Sequence, residues 1–198
     1  MTALDRIVGL IYRPGFLGPS EQTELLQIVD AQPWSSQLRR RVQHYGYRYD
    51  YQRRTIGDED GLGPLPAWAL RLARRLGAES DQLIVNEYLP GQGIASHVDS
   101  PSCFGDVVMS VSLGSTCVMT LNRPDDPDAS VALLLEPGSL LVLTDEARYA
   151  WRHGIPARRT DRVHGRVVSR GRRVSLTFRS VRRRPQGAAK SLRSRQSG

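Results

Sequence analysis

The sequence is poor in cysteine, in long apolar runs and in lysine. Cys103 and Cys117 are its only cysteines, which excludes a small secreted domain held together by disulfides and agrees with a reducing compartment. No apolar run approaches the roughly 20 residues that a membrane helix needs, and the N-terminus lacks the apolar core of a signal peptide. We therefore expect a cytoplasmic protein with no membrane association.

Lysine is replaced almost throughout by arginine, and the basic excess is concentrated at the C-terminus. The net charge is +8, and Lys190 is the single lysine. From Arg182 onward there are six basic residues and no acidic ones, which leaves 22 basic against 20 acidic residues in the rest of the chain. We predict one nearly neutral domain over 1–181 and a basic disordered tail over 182–198. Either phosphate binding or simple solvation could account for that tail.

Three residues in the middle of the chain are typical of a metal site. His97 and Asp99 stand two apart in the stretch Asn86 to Asp99, and in an extended chain this spacing points both side chains to one face. His153, far downstream, could supply a third ligand. Two imidazoles and one carboxylate form the facial triad that leaves positions open on iron. Because a His-X-Asp pair is weak on its own, this hypothesis needs independent support.

That support comes from a strand near the end of the domain. Residues 172–179 read Arg-Arg-Val-Ser-Leu-Thr-Phe-Arg, and their alternation sends apolar residues to one face and polar residues to the other. Arg173 and Arg179 share the polar face of what should be a core strand. Buried charges need partners, and a dicarboxylate cosubstrate would provide them.

Elsewhere the apolar spacing predicts two helices and two hairpins. Ser20 has the character of an N-cap for a helix that runs to Pro33. Pro66 suits the first turn of a second helix, which ends at Leu76 before Gly77. Two hairpins are expected from turn residues between apolar segments. They join 107–113 to 117–121, and 131–135 to 140–143.

The segment 38–51 interleaves basic and aromatic residues in a way that indicates nucleic-acid contact. Aromatic rings stack on bases and arginines hold phosphates, and the tyrosines share one face if the segment is extended. The alternative is an amphipathic hairpin whose tyrosines cover the core. The candidate substrate residues are Arg40, Arg41, His44, Tyr45, Tyr47 and Tyr49.

Taken together, several motifs resemble the AlkB family of Fe(II)- and 2-oxoglutarate-dependent dioxygenases. They are Asn-Glu-Tyr-Leu-Pro-Gly-Gln-Gly-Ile, His-Val-Asp, Val-Ser-Leu-Gly-Ser, Pro-Gly-Ser-Leu-Leu-Val-Leu, Ala-Arg-Tyr-Ala-Trp-Arg-His-Gly-Ile and Arg-Val-Ser-Leu-Thr-Phe-Arg. The resemblance covers roughly residues 8–181 in the same order. It implies a mainly β (α+β) fold, a double-stranded β-helix or jelly-roll with flanking N-terminal helices, and it implies that 37–54 is a nucleotide-recognition lid.

The resemblance also implies the cofactors and their ligands. Fe(II) would be held by His97, Asp99 and His153, which are the candidate catalytic residues, and 2-oxoglutarate and O2 would react there. Arg173 would bind the distal carboxylate of 2-oxoglutarate through a bidentate contact, and Arg179 would lie nearer the metal. The predicted cosubstrate site is completed by Asn86, Tyr88 and Ser175.

The expected function is oxidative dealkylation of damaged bases in DNA or RNA. A base that is flipped or single-stranded is expected, because it must leave its stack to reach the metal, and we expect a monomer. Pro101 stands where many AlkB demethylases carry a second acid, and the motifs look most like the branch that hydroxylates a modified wobble uridine in tRNA. That hydroxylase is the alternative, and a nucleic-acid-binding protein without catalysis is the non-enzyme alternative.

Overall fold

The computed structural model describes residues 4–182 and is mostly antiparallel β-structure with few helices. This agrees with the predicted jelly-roll class. Of the predicted basic tail only Arg182 is included, so the rest of that prediction lies outside the described residues. None of the helices within 4–182 has the length and apolar character needed to cross a membrane.

The larger of two facing sheets has six strands in the order β1-β8-β5-β12-β3-β2. Every pairing in it is antiparallel. Its strands are β1 (Leu10–Arg13), β2 (Val42–Tyr45), β3 (Gln82–Tyr88), β5 (Phe104–Gly114), β8 (Leu140–Leu143) and β12 (Arg173–Val181). Since β12 lies between β3 and β5, it is a central strand, buried along most of its length.

The smaller sheet has four strands in the order β4-β9-β6-β7. They are β4 (Ile94–His97), β6 (Cys117–Arg123), β7 (Asp126–Leu135) and β9 (Arg152–Ile155). A separate two-stranded hairpin is formed by β10 (Thr160–Val163) and β11 (Arg166–Ser169).

Both predicted helices are present, with small differences at their ends. The first, α1 (Pro19–Asp30), has Gly18 as its N-cap, two residues before the predicted Ser20, and ends three residues before Pro33. The Gly18 N–H donates to the Glu21 carboxylate at 3.0 Å. The second, α2 (Ala67–Leu76), ends as predicted at Gly77, whose φ of +78° favours glycine. A short helix, α3 (Asp145–Tyr149), precedes β9.

The two predicted hairpins are wrong, because in both cases the chain crosses between the sheets instead of turning back. After β5 the chain enters β6, which pairs with β7 and β9 in the small sheet. After β7 it returns to the large sheet as β8, which pairs with β1 and β5. At the first crossing Gly114 has a φ of +83°, and a Cβ there would lie 2.5 Å from the Arg172 carbonyl oxygen. Sequence alternation identifies such strands but does not specify their partners.

Two apolar clusters flank the large sheet. One fills the space between this sheet and the helices α1 and α2, and it includes Val29, Leu72, Leu176 and Phe178. The other lies between the two sheets and contains Leu121 with other strand residues. The candidate site is a cavity between the same sheets, lined both by polar side chains and by apolar ones such as Met119 and Leu141.

Candidate active site

The two imidazoles and the carboxylate predicted from the sequence lie together. The antiparallel pairing of β4 with β9 sets His97 opposite His153, and their ring centroids are 4.5 Å apart. Asp99 follows β4, and its Oδ2 lies 3.5 Å from His153 Nε2. One donor atom from each of the three residues lies within 4.8 Å of the others, which is compact enough for a single metal ion.

The surroundings favour the metal-binding protonation states of Asp99 and His153. Burial acts to raise the pKa of Asp99, but the Arg179 guanidinium and the two imidazoles outweigh it, and the pKa falls below its ordinary value. Burial lowers the pKa of His153 to about 4, so this imidazole is neutral at neutral pH. His97 Nδ1 lies 2.8 Å from the Ala95 carbonyl oxygen; because a carbonyl can only accept, the lone pair is on Nε2.

The polar face of β12 supplies two buried guanidiniums beside this cluster. Arg179 donates to Asp99 Oδ1 at 2.6 Å, and Arg173 donates to the Ser112 hydroxyl at 2.8 Å while its Cζ lies 5.4 Å from the Tyr88 ring centroid. The Nε atoms of both arginines are buried and have no hydrogen-bond partner. Such donors are costly to leave unpaired, and a carboxylate-bearing ligand would satisfy them.

The side chains predicted to support a cosubstrate lie on the same surface. Register in the large sheet places Tyr88 opposite Arg173 and Asn86 opposite Ser175. The Ser175 hydroxyl lies 3.2 Å from the hydroxyls of both Ser110 and Thr177. These groups line a cavity of about 690 Å³ together with the two imidazoles, Asp99 and both β12 arginines.

Comparison with known proteins agrees with this geometry. Residues 9–179 match the model of the 2OG-Fe(II) oxygenase superfamily. The chain is 38% identical over 207 residues to an alkylated DNA repair protein ALKBH8 homolog from Arabidopsis thaliana, covering 90% of this chain and 60% of the relative. It is 35% identical to the mouse (Mus musculus) tRNA (carboxymethyluridine(34)-5-O)-methyltransferase ALKBH8, covering 89% of this chain and 31% of that protein.

The chain belongs to the AlkB family of 2OG-Fe(II) oxygenases. The solved structure of OsALKBH1 has a similar fold, with a TM-score of 0.64 at 18% identity over 87% of this chain and 96% of that chain. The chain spans between 31% and 60% of the length of the two ALKBH8 relatives. The family implies Fe(II), 2-oxoglutarate and O2, and the His-Asp-His cluster and unpaired guanidinium donors fit an iron ion and a dicarboxylate.

The predicted substrate residues of this AlkB-family chain are divided between the cavity and other surfaces. Arg40 and Tyr49 line the cavity. His44 is next to it, with its ring centroid 5.9 Å from that of Tyr51. Burial is the main cause that lowers the pKa of His44 to about 4.

Like His44, the other three predicted substrate residues do not line that cavity. Gly46 has a φ of +78°, and the tyrosines of the segment do not share one face. Tyr45 packs edge-on against Trp68 on the helix side of the sheet. Tyr47 bridges to the Gly61 loop. Arg41 is exposed and pairs with Glu87 at 2.6 Å on the outer side.

Three residues that shape the site, Tyr51, Phe104 and Arg148, are not among the residues predicted to form it. Tyr51 lines the cavity beside Tyr49 and Phe104, with Tyr49 within 5.5 Å of both rings. Arg148 on α3 is only 2% exposed and donates to the Asp99 carbonyl oxygen at 2.7 Å. Its signal in the sequence is an arginine within the otherwise apolar Ala-Arg-Tyr-Ala-Trp run before His153. This hydrogen bond fixes the backbone of Asp99, whose carboxylate is a predicted metal ligand.

Proposed function

We propose that this chain is an Fe(II)/2-oxoglutarate-dependent dioxygenase that oxidatively dealkylates damaged bases in DNA or RNA. The observation that carries the proposal is the convergence of His97, Asp99 and His153 on one point of a cavity whose wall also holds Arg173 and Arg179. A metal triad beside two buried guanidiniums suits a dicarboxylate cosubstrate. The relatives add support, since one from Caenorhabditis elegans, 29% identical over 188 residues, is called a DNA N6-methyl adenine demethylase.

In this proposal each polar group has a defined task. His97 Nε2, the Asp99 carboxylate and His153 would hold Fe(II), and Arg179 fixes the carboxylate through its bond to Oδ1. Arg173 would bind the far carboxylate of 2-oxoglutarate, beside the Tyr88 ring. Held by these residues, Fe(II) would allow O2 to hydroxylate an alkyl C–H bond of the substrate, with 2-oxoglutarate as the co-reductant that is converted to succinate and CO2. When the oxidised carbon is attached to a ring nitrogen, the product decomposes to an aldehyde and the repaired base.

The cavity walls orient the base and exclude water. Tyr49, Tyr51 and Phe104 supply aromatic surface to the cavity wall, and a base can stack on such rings. Residues 37–54, which carry these tyrosines and Arg40, are proposed to act as the lid over the site. Monomeric state and cytoplasmic location are part of the same proposal.

A second function, hydroxylation of a modified wobble uridine in tRNA, is favoured by one feature of the cavity. Pro101 lines it where a second acid could have contacted a cationic base. The similarity to the mouse tRNA (carboxymethyluridine(34)-5-O)-methyltransferase ALKBH8 points the same way. The product would keep its hydroxyl group, and no aldehyde would form.

The first experiment tests for the metal and cosubstrate site. Anaerobic Fe(II) and 2-oxoglutarate should produce the weak visible charge-transfer band of their chelate in the purified protein. Asp99→Ala should abolish the band because it removes a ligand, whereas Asp125→Ala, at an exposed carboxylate, should leave it intact. Folded wild-type protein that gives no band would contradict both enzyme proposals and favour a binding protein without catalysis.

A second experiment separates the two reactions. Methylated and etheno-modified oligonucleotides, and tRNA, would be incubated with Fe(II), 2-oxoglutarate and O2. We expect formaldehyde or glyoxal from the oligonucleotides. Turnover of 2-oxoglutarate with tRNA alone, without aldehyde, would establish the hydroxylase instead.

A further inference from the structure

The cavity carries a large excess of positive charge for a site that takes a nucleobase. Asp99 is the only carboxylate among the described residues that line it. Against this single acid stand five arginines. They are Arg39, Arg40, Arg54, Arg173 and Arg179.

Filling the site as proposed does not remove this excess. Fe(II) and the two β12 guanidiniums bring four positive charges, which Asp99 and a 2-oxoglutarate dianion reduce to one. Arg39, Arg40 and Arg54 are not needed for that balance and add three more. Because an arginine does not lose its proton at ordinary pH, the cavity stays cationic when loaded.

Arg40 lies beside the rings on which the base is proposed to stack. Its Nε donates to Asn86 Oδ1 at 2.9 Å, so the guanidinium is held beside the Asn86 side chain in the cavity wall. Its Cζ lies 5.9 Å from the ring centroids of both Tyr51 and Tyr88. Arg39 and Arg54, by contrast, are exposed at the rim, where water screens them more.

Three of the four phenyl and phenol rings that line the cavity, those of Tyr51, Tyr88 and Phe104, do not offset this repulsion, since arginines already contact them. Arg179 Cζ lies 4.2 Å from the Phe104 ring centroid, and Arg40 approaches Tyr51 and Tyr88. A cationic base would therefore compete with guanidiniums for the same rings. An uncharged base can still stack on them without that repulsion.

We infer that, if this site works as proposed above, it selects an uncharged modified base over a cationic one, and that Arg40 is the residue that sets this selectivity. The inference excludes cationic methylated adenine and cytosine as preferred substrates. It leaves uncharged adducts and modified uracils.

A matched pair of bases tests this directly. 3-Methylcytosine is cationic near neutral pH, whereas 3-methyluracil has nearly the same shape and no charge. Each would be placed in an otherwise identical fluorescein-labelled single-stranded oligonucleotide, so that phosphate contacts are equal. Anisotropy with Mn(II) in place of Fe(II), plus 2-oxoglutarate, measures binding without turnover. We expect the uncharged base to bind about tenfold tighter.

Variants of Arg40 identify the residue responsible. Arg40→Gln should narrow the ratio of the two dissociation constants, and Arg40→Glu should reverse it in favour of 3-methylcytosine. Arg71→Glu, an equal charge change at an exposed position of α2, should leave the ratio unchanged while weakening both complexes alike.

The inference and the proposed function can fail separately. Equal binding of the two bases by wild-type protein that forms the Fe(II)–2-oxoglutarate band would overturn the inference alone. If the ratio of the two dissociation constants also reversed in Arg71→Glu, overall charge and not Arg40 would be responsible for the selectivity. Absence of the band contradicts the proposed function whatever the binding ratio is.

Discussion

The two faces of strand β12 carry different kinds of side chains, although alternating residues of one nine-residue strand form them. On the helix side Val174, Leu176 and Phe178 are all 0% exposed and pack in the apolar cluster against α1 and α2. On the cavity side Arg173 and Arg179 are nearly as buried, yet their Nε atoms have no partner. The period of two along a strand thus separates a face that stabilises the fold from a face kept for a ligand.

The largest effect on stability should come from the helix side. Phe178→Ala removes a fully buried ring and should lower the free energy of unfolding by about 3 to 5 kcal/mol. Urea denaturation measures this. Val168→Ala, at a 38% exposed side chain of β11, is the control and should change stability by less than about 0.5 kcal/mol. Equal effects in the two variants would contradict the division between the faces.

On the cavity side a substitution should affect ligand binding and spare the fold. Arg173→Met keeps most of the apolar stem but removes a buried charge that no carboxylate of the described residues pairs with. We expect 2-oxoglutarate affinity to fall on the order of a hundredfold, with unfolding free energy unchanged or slightly raised. Calorimetry with Mn(II) measures the affinity. Arg162→Met, at an exposed position of β10, should alter neither quantity.

The smallest predicted effect is the contribution of His44, beside the cavity, to the loss of folding stability in acid. Burial lowers the pKa of His44 from 6.5 to about 4, so between these values the unfolded chain binds more protons than the folded one. Stability should therefore fall as pH drops through this window. In His44→Gln the loss between neutral pH and pH 4 should be smaller by roughly 1 to 3 kcal/mol. His153, whose pKa is also lowered to about 4, contributes equally to both proteins.

Denaturation of wild type and His44→Gln across that pH range checks this prediction. Identical pH dependence in the two proteins would mean that His44 is protonated as easily in the folded chain as in the unfolded one. Tyr45, the next residue, makes the contrast sharper. It faces the helix side against Trp68, so Tyr45→Phe should leave the pH dependence unaltered.

Much of the site could be predicted because it follows from the spacing of neighbouring residues and from the chemistry of single side chains. The alternation of β12, the His-X-Asp spacing and the glycine that ends α2 depend only on neighbours in the sequence. The direction of each tyrosine in 37–54 could not be predicted, since the bend at Gly46 and the packing of Tyr45 on Trp68 come from distant residues. Arg148 was missed for the same reason: its acceptors are backbone carbonyls of Asp99, Phe104 and Gly105.

The sequence by itself determined which side chains could bind iron and a dicarboxylate, and which face of β12 carries Arg173 and Arg179. The tertiary structure alone decided that β5 and β6 belong to different sheets and that β4 pairs with β9, which brings His97 opposite His153. The physical reason is that side-chain periodicity is fixed within a strand by backbone geometry. The choice of partner strand depends on how the whole chain buries its apolar faces.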